Sequence, residues 1–370
     1  MRVLLAGGGT AGHIEPALNL ADVLTARHSD AHVVMLGTPR GLESDLVPER
    51  GYELELIKPV PLPRRVNGDL VALPFRMHTA VYATRDLIKK YRFEAVVGFG
   101  GYVSTPAYFA ARKRLPIVVH EANARPGIAN RLGARFTPYV AEAVDGSLPH
   151  GQAIGIPLRA SIANLDRAAQ QQAARAEFGL EPDRPCLLVF GGSQGARRIN
   201  NAVIAAAPEL IAAGAQILHV VGPTNLDQVS ADSAALGAAY HAVGYVNGMD
   251  RAYAAADVAL SRAGAMTCAE LAAVGLPAVY VPYAVGNGEQ RLNAEPVVAA
   301  GGGLLVPDSE ISKQRVVQAC GPLLADSAIR ERMSAAAAHH GVRDAGDKLA
   351  DMVEMAIQSG TPGRKKGEWQ

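Results

Sequence analysis

The sequence predicts an α/β protein made of two consecutive doubly wound domains, each a parallel sheet with helices on both faces. Three observations lead there. Short β-branched runs alternate with longer amphipathic segments, the signature of strand–helix–strand units. The alternation restarts midway, at residues 187–190. Each series opens with a strand that runs into a glycine-rich turn, Gly7-Gly-Gly-Thr-Ala-Gly-His13 in the first and Gly191-Gly-Ser-Gln-Gly-Ala196 in the second.

In the first series the apolar runs predict strands at 3–6, 32–37, 54–57, 95–99 and 117–120, with helices over 16–27 and 70–90. In the second they predict strands at 187–190, 216–221, 241–243, 258–261 and 278–281, and a helix over 199–212. Pro157 interrupts regular structure between the series, so the linker falls at Gly155-Ile-Pro-Leu-Arg159. The expected domains are 1–158, completed by a C-terminal helix at about 343–358, and 159–342. Residues 161–178, rich in Ala and Gln, read as a surface helix, and 359–370 as a flexible tail. Two such sheets facing each other leave a cleft at the carboxyl ends of their strands.

Composition narrows the class. A chain of 370 residues can bury two cores. With 49% hydrophobic and 19% charged residues it is globular and not disordered. A net charge of +1 argues against nucleic acid as a partner. Cys186, Cys268 and Cys320 are too widely spaced for a metal site and suit a reducing compartment. Met1 leads directly into a strand, so no signal peptide is expected. The uncharged stretch 271–288 is broken by Gly275, Pro277 and Pro282, so no membrane span is expected either.

The glycine turns carry the first chemical hint. Glycine permits a tight turn and close backbone approach, and the helix that follows, expected near Glu15 in the first turn, presents N–H groups and a positive dipole end. A phosphate or polar sugar fits there; taken alone, so does a mere packing turn. No lysine follows the first turn, which excludes a P-loop. The second strand ends Val34-Met-Leu-Gly-Thr38 without an acidic residue, which disfavours a dinucleotide. In the second turn Ser193 adds a hydroxyl to the backbone donors.

Further motifs occur in a specific order: Gly98-Phe-Gly-Gly-Tyr-Val-Ser104, His120-Glu-Ala-Asn123, Arg262-Ala-Gly-Ala-Met-Thr-Cys-Ala-Glu270 and Glu289-Gln-Arg-Leu-Asn293. Together with the two turns they closely resemble the MurG family of peptidoglycan N-acetylglucosaminyltransferases, from Val3 to about Ile357. The resemblance implies the GT-B glycosyltransferase fold, two Rossmann-like domains facing across a cleft. It implies inverting transfer of GlcNAc from UDP-GlcNAc to the MurNAc 4-hydroxyl of lipid I, giving lipid II, and hence roles in cell wall synthesis, cell shape and cell division. Its partners would be UDP-GlcNAc, lipid I, an anionic membrane surface and proteins of cell-wall and division complexes, at the cytoplasmic face of the cell membrane.

Residue by residue, the resemblance implies that Thr10, Ala11 and Gly12 line the donor sugar and pyrophosphate. Asn123 would hydrogen-bond GlcNAc, Arg159 and Ser193 the diphosphate, and Val246 the uracil through its backbone. Glu270 would accept both ribose hydroxyls, which suits an ionised, acceptor-only carboxylate. Ala265, Met266 and Thr267 would lie beside it, with Gln290 on the donor sugar. Two positions depart from the family pattern: Glu289 stands where glutamine is usual, and Ala11 where glycine is frequent.

Transfer requires a base for the acceptor hydroxyl and a stabilised leaving group. His13 is the candidate base, its neutral imidazole able to take a proton near pH 7; the competing role is to orient the loop or bind phosphate. Glu121 and Tyr102 are acceptor-side candidates or structural residues. No Asp-x-Asp motif is present, so neither a metal nor a cofactor is expected, and Arg159, Ser193 and a helix N-terminus would stabilise the diphosphate. Over 62–92, Arg64, Arg65, Arg76, Arg85, Lys89, Lys90 and Arg92 face only Asp69 and Asp86, and Leu70, Val71, Leu73, Phe75 and Met77 lie among them, with Arg112-Lys-Arg114 beyond. That mixture suits docking on anionic lipid or a solvated helix with one core face. The competing functions are a related enzyme such as a UDP-GlcNAc 2-epimerase, and a non-catalytic UDP-sugar-binding scaffold.

Overall fold

The computed structural model describes residues 1–39, 41–60, 68–192, 195–283 and 288–360, with backbone alone at 68–72. It divides into two compact units. Met1–Leu158 and the C-terminal helix Ala345–Ser359 form the first, and Arg159–Arg343 the second.

The first unit is a seven-stranded sheet in the order β3-β2-β1-β4-β5-β6-β7. Its strands are β1 (Arg2–Gly7), β2 (His32–Gly37), β3 (Glu53–Leu56), β4 (Ala95–Gly100), β5 (Ile117–Glu121), β6 (Tyr139–Glu142) and β7 (Gln152–Ala153), and every pairing is parallel. Successive side chains alternate between faces. Val3 and Leu5 pack on one side with Ile14, Leu18, Leu349 and Val353. Leu4 and Ala6 pack on the other with Val81, Val103 and Tyr108. Burial on both faces makes these strands near-continuous apolar runs. The C-terminal helix reaches this core through Leu349, Ala350, Val353 and Ala356, a helical stripe. Arg27 ties its outer side with contacts to Asp347 at 2.7 Å and Asp351 at 2.6 Å.

The second unit repeats the plan with six parallel strands in the order β10-β9-β8-β11-β12-β13. They are β8 (Cys186–Phe190), β9 (Gln216–Val220), β10 (Tyr240–Val243), β11 (Val258–Ser261), β12 (Ala278–Tyr280) and β13 (Gly303–Leu305). In each sheet the opening strand sits where the strand order reverses, between β2 and β4 and between β9 and β11. Ligands bind open parallel sheets at the carboxyl end of that switch point, which is where both glycine turns lie.

Several sequence expectations need correction. The helix after the first turn is Ala11–Arg27, starting at Ala11 and not near Glu15. Thr10 holds the extended N-cap conformation (φ −140°, ψ 152°), so Gly12 and His13 belong to the first helical turn. The second helix likewise starts at Arg197. Strands β6, β7 and β13, of two to four residues, were missed because so few residues show no periodicity.

The expected surface helix over 161–178 is instead a single helical turn, Ala160–Ala163, followed by the helix Arg167–Glu177, which is anchored by the half-buried Arg167 and the buried Arg175. Arg175 is 4% exposed, bonding the Ala255 carbonyl at 3.0 Å and Asp257 at 2.6 Å. Arg167 donates to the carbonyls of Tyr253, Gly275 and Ala256, and burial holds its pKa down at about 10. A guanidinium each of whose three nitrogens finds an acceptor can be taken out of water. The helix therefore looks polar in sequence yet docks against the helix Met249–Ala255. Of the expected tail, Ser359 and Gly360 close the last helix, and 361–370 lie outside the described residues.

Candidate active site

In the first unit the site grows from the end of β1. Gly9 takes a left-handed φ of +88° to complete the turn. The half-buried His13 then turns its Nδ1 back over the loop, 3.3 Å from the Gly8 carbonyl oxygen and 3.2 Å from Thr10 Oγ1. A carbonyl only accepts, so the contact with Gly8 is a hydrogen bond when Nδ1 carries a proton, the tautomer that leaves the lone pair of a neutral ring on Nε2. The motif after β4 makes room for this arrangement. A Cβ on Gly100 would lie 3.0 Å from His13 Cδ2 and Nε2, and one on Gly101 would lie 2.3 Å from the Gly8 oxygen. Tyr102, 51% exposed, lies alongside Gly9.

A second group lies beyond Gly100. Glu121, at the end of β5, is 2% exposed and saturated with donors. Its Oε1 accepts from the Asn123 N–H at 3.0 Å and Asn123 Nδ2 at 3.3 Å, and its Oε2 from the Gly127 N–H and Asn130 Nδ2, both at 3.0 Å. Asn130 in turn receives the Tyr108 hydroxyl at 2.7 Å. This geometry gives Glu121 the job of shaping the loop that presents Asn123. His120 is wholly buried and donates Nε2–H to the Gly155 carbonyl at 2.9 Å. Burial pushes its pKa down to about 4, so the ring is neutral.

In the second unit the glycine turn rests on a carbonyl knot. A Cβ on Gly195 would fall 2.1 Å from the Val221 oxygen, which accepts the side-chain amides of Asn200 and Asn225, both at 3.0 Å. Asn200 is held by the buried His219 at 3.1 Å. Gly264 precedes the helix Ala265–Ala273, whose first turn carries the half-buried Ala265, Met266 and Thr267. Glu270, on the same helix, accepts the Tyr253 hydroxyl at 2.7 Å. Gln290 uses Oε1 to join two strand ends, accepting the N–H of Ala263 at 3.3 Å and of Tyr283 at 2.9 Å. Val246 is 9% exposed. Arg159 is half-buried ahead of the turn Ala160–Ala163. Ser193 lies outside the described residues. Among the described residues no group of three or more His, Cys, Asp or Glu could hold a metal ion.

Residues 3–141 match the glycosyltransferase family 28 N-terminal domain and residues 186–349 its C-terminal domain. A protein of Acidothermus cellulolyticus is 55% identical over 96% of this chain and 98% of its own length. It is named UDP-N-acetylglucosamine--N-acetylmuramyl-(pentapeptide) pyrophosphoryl-undecaprenol N-acetylglucosamine transferase. A Streptomyces coelicolor protein of the same name is 56% identical, with the same coverage. The chain belongs to the MurG family. The crystal structure of Acinetobacter baumannii MurG superposes with a TM-score of 0.78 at 27% identity, covering 96% of this chain and 99% of that one.

Within this MurG-family chain, several residues that build the site were not singled out from sequence. Asn130 and Tyr253 bond the predicted residues Glu121 and Glu270, and Asn200, held by His219, supports the second turn through the Val221 carbonyl. Glu43, in the short helix Glu43–Glu49, lies outside every motif yet accepts the Gly9 N–H of the first turn at 3.0 Å. The one local signal was the cluster of glycines before it, Gly37 and Gly41, around a carboxylate.

Proposed function

We propose that the chain transfers GlcNAc from UDP-GlcNAc to undecaprenyl-pyrophosphoryl-MurNAc-pentapeptide, lipid I, forming lipid II in peptidoglycan synthesis. The observation that carries this reading is full-length identity of 55% to an enzyme so named. The geometry of His13 supplies a mechanism for it. Nε2 takes the proton of the MurNAc 4-hydroxyl as that oxygen attacks the anomeric carbon. The new C–O bond forms as the bond to the UDP oxygen breaks, with inversion, and the proton later leaves to solvent.

Arg159, Ser193 and the N-terminus of the helix Arg197–Ala212 take up charge on the departing diphosphate. Thr10, Ala11 and Gly12 contact the donor, and Asn123 bonds the GlcNAc. Glu270 accepts the ribose hydroxyls while Ala265, Met266 and Thr267 flank it, and Val246 offers its backbone to uracil. Gln290, its Oε1 committed to the backbone, turns its amide nitrogen to the sugar, and Tyr102 serves the acceptor side. No divalent ion enters these steps.

The enzyme works as a peripheral protein on the cytoplasmic face of the membrane, alongside cell-wall and division proteins. Among the described residues no helix is long and apolar enough to cross a bilayer. The docking element is the helix Gly68–Tyr91, where Phe75 is 76% and Tyr82 49% exposed. Lys90 is engaged with Glu55 at 2.7 Å; Arg76, Arg85 and Lys89 on the same helix are the basic residues assigned to the lipid contact. Arg64, Arg65 and the side chains of Leu70 and Val71 fall outside the described residues.

Incubation with UDP-GlcNAc and a lipid I analogue tests the proposal. Disaccharide product supports it. Free ManNAc would mean an epimerase, whose fold is shared by the Neisseria meningitidis UDP-GlcNAc 2-epimerase at 14% identity and a TM-score of 0.68. UDP-GlcNAc binding with no turnover would mean a scaffold.

A further inference from the structure

A buried carboxylate lies directly beneath the first glycine turn. Glu43 has no exposed surface. Burial alone would raise its pKa, but hydrogen bonds from Gly9, from its own backbone and from Thr38 outweigh that and hold the carboxyl below its ordinary value. Its Oε1 accepts from the Thr38 N–H at 2.7 Å and the Thr38 hydroxyl at 2.8 Å, and its Oε2 from the Gly9 N–H at 3.0 Å. Three glycines make the space. A Cβ on Gly41 would fall 1.9 Å from Oε2, one on Gly37 2.5 Å from Cγ, and one on Gly8 2.9 Å from Oε1.

The peptide gripped through the Gly9 N–H is the Gly8–Gly9 peptide, and its other end is the Gly8 carbonyl that accepts from His13 Nδ1 at 3.3 Å. One planar group therefore joins the carboxylate to the imidazole. A peptide cannot twist about its C–N bond, so fixing the N–H direction fixes the carbonyl direction. Hydrogen bonding at the N–H also polarises the carbonyl oxygen, making it the better acceptor. Gly101 walls the oxygen from behind.

We infer that Glu43 is a positioning residue for His13, acting through the Gly8–Gly9 peptide to hold the proton on Nδ1 and aim Nε2 at the acceptor hydroxyl. Through one intervening peptide it does what a carboxylate in direct contact does for the histidine of a hydrolytic triad. The inference rests on His13 being the base.

The test is Glu43→Gln in the full chain, which keeps the side chain's shape but turns either an amide N–H₂ or a weaker acceptor toward Gly9. Three readouts are needed: kcat and KM for both substrates, the ¹⁵N–¹H imidazole spectrum assigned with His13→Gln, and the same substitution in a His13→Ala background. The expected result is a kcat lowered on the order of tenfold or more with KM for UDP-GlcNAc within about twofold. The His13 signal should change from one tautomer to a mixture, and no further loss should follow in the His13→Ala background, because residues acting as a unit are non-additive. An unchanged His13 tautomer, or a full additional loss without His13, would overturn it. Glu43→Asp, which keeps the charge but draws it back by one methylene, gives the same readouts if Glu43→Gln does not fold. If His13→Ala alone turns over normally the base assignment fails. The spectrum still reports whether Glu43 sets the ring.

Discussion

The Tyr253 hydroxyl, on a side chain only 1% exposed, donates to Glu270 at 2.7 Å. A fully buried donor thus sets the angle of a half-exposed carboxylate. Burial first, and the Glu270 charge second, push the Tyr253 pKa well above its ordinary value, so the hydroxyl stays protonated and remains a donor. Tyr253→Phe should raise KM for UDP-GlcNAc about tenfold with a smaller change in kcat, since a hydrogen bond to a charged group contributes about 1.5–3 kcal/mol. Steady-state kinetics with the donor varied would measure it, and an unchanged KM would remove Tyr253 from the donor site.

His13→Ala should lower turnover by about 10²-fold or more, the usual contribution of a positioned general base. The loss should appear in kcat with donor affinity nearly intact. Near-normal turnover would discard His13 as the base.

Acid should destabilise both units. Burial holds His120 at a pKa of about 4 and His219 at about 3, against an ordinary 6.5. Below pH 6.5 the unfolded chain takes up a proton at each ring while the folded chain does not, so the unfolded state binds more protons. Stability present above that pH is therefore lost as pH falls toward 4, by about 1.4 kcal/mol per pH unit for each histidine. Urea midpoints should be lower at pH 5 than at pH 7.5 for both units, and equal midpoints would contradict the buried neutral assignment.

Binding to anionic vesicles should weaken as salt rises. Phe75→Ser should weaken it further, since the exposed ring supplies apolar insertion. Sedimentation with vesicles of graded anionic lipid content measures both effects, and indifference to salt and lipid charge would sink the docking proposal.

Turnover of the purified enzyme should survive EDTA, because arginine and backbone donors are assigned to the leaving diphosphate. Strong inhibition restored by added divalent ion would show that a metal takes part.

Much of this was legible in the chain itself. Sheets buried on both faces need apolar strands, and a parallel sheet needs a helix between strands, so β1, β2, β4, β5 and their counterparts β8, β9 and β11 show as local patterns. The glycine turns and the motif residues His13, Asn123, Glu270 and Gln290 are local as well. The helix start at Ala11 was less legible, because Gly12 reads as turn until Thr10 is seen to cap.

What only the tertiary structure decided is which residues hold those motifs in place. Glu43 is 34 positions from Gly9, and it arrives beneath the turn because β2 pairs in parallel with β1 and delivers its own exit loop there. Tyr253 meets Glu270 from a different helix, and Asn130 meets Glu121 across a loop. The fold class and the two turns followed from composition and periodicity, which are properties of neighbours in sequence. The orientation of His13 followed from a buried charge, a peptide plane and missing Cβ atoms, and these meet only when distant segments pack.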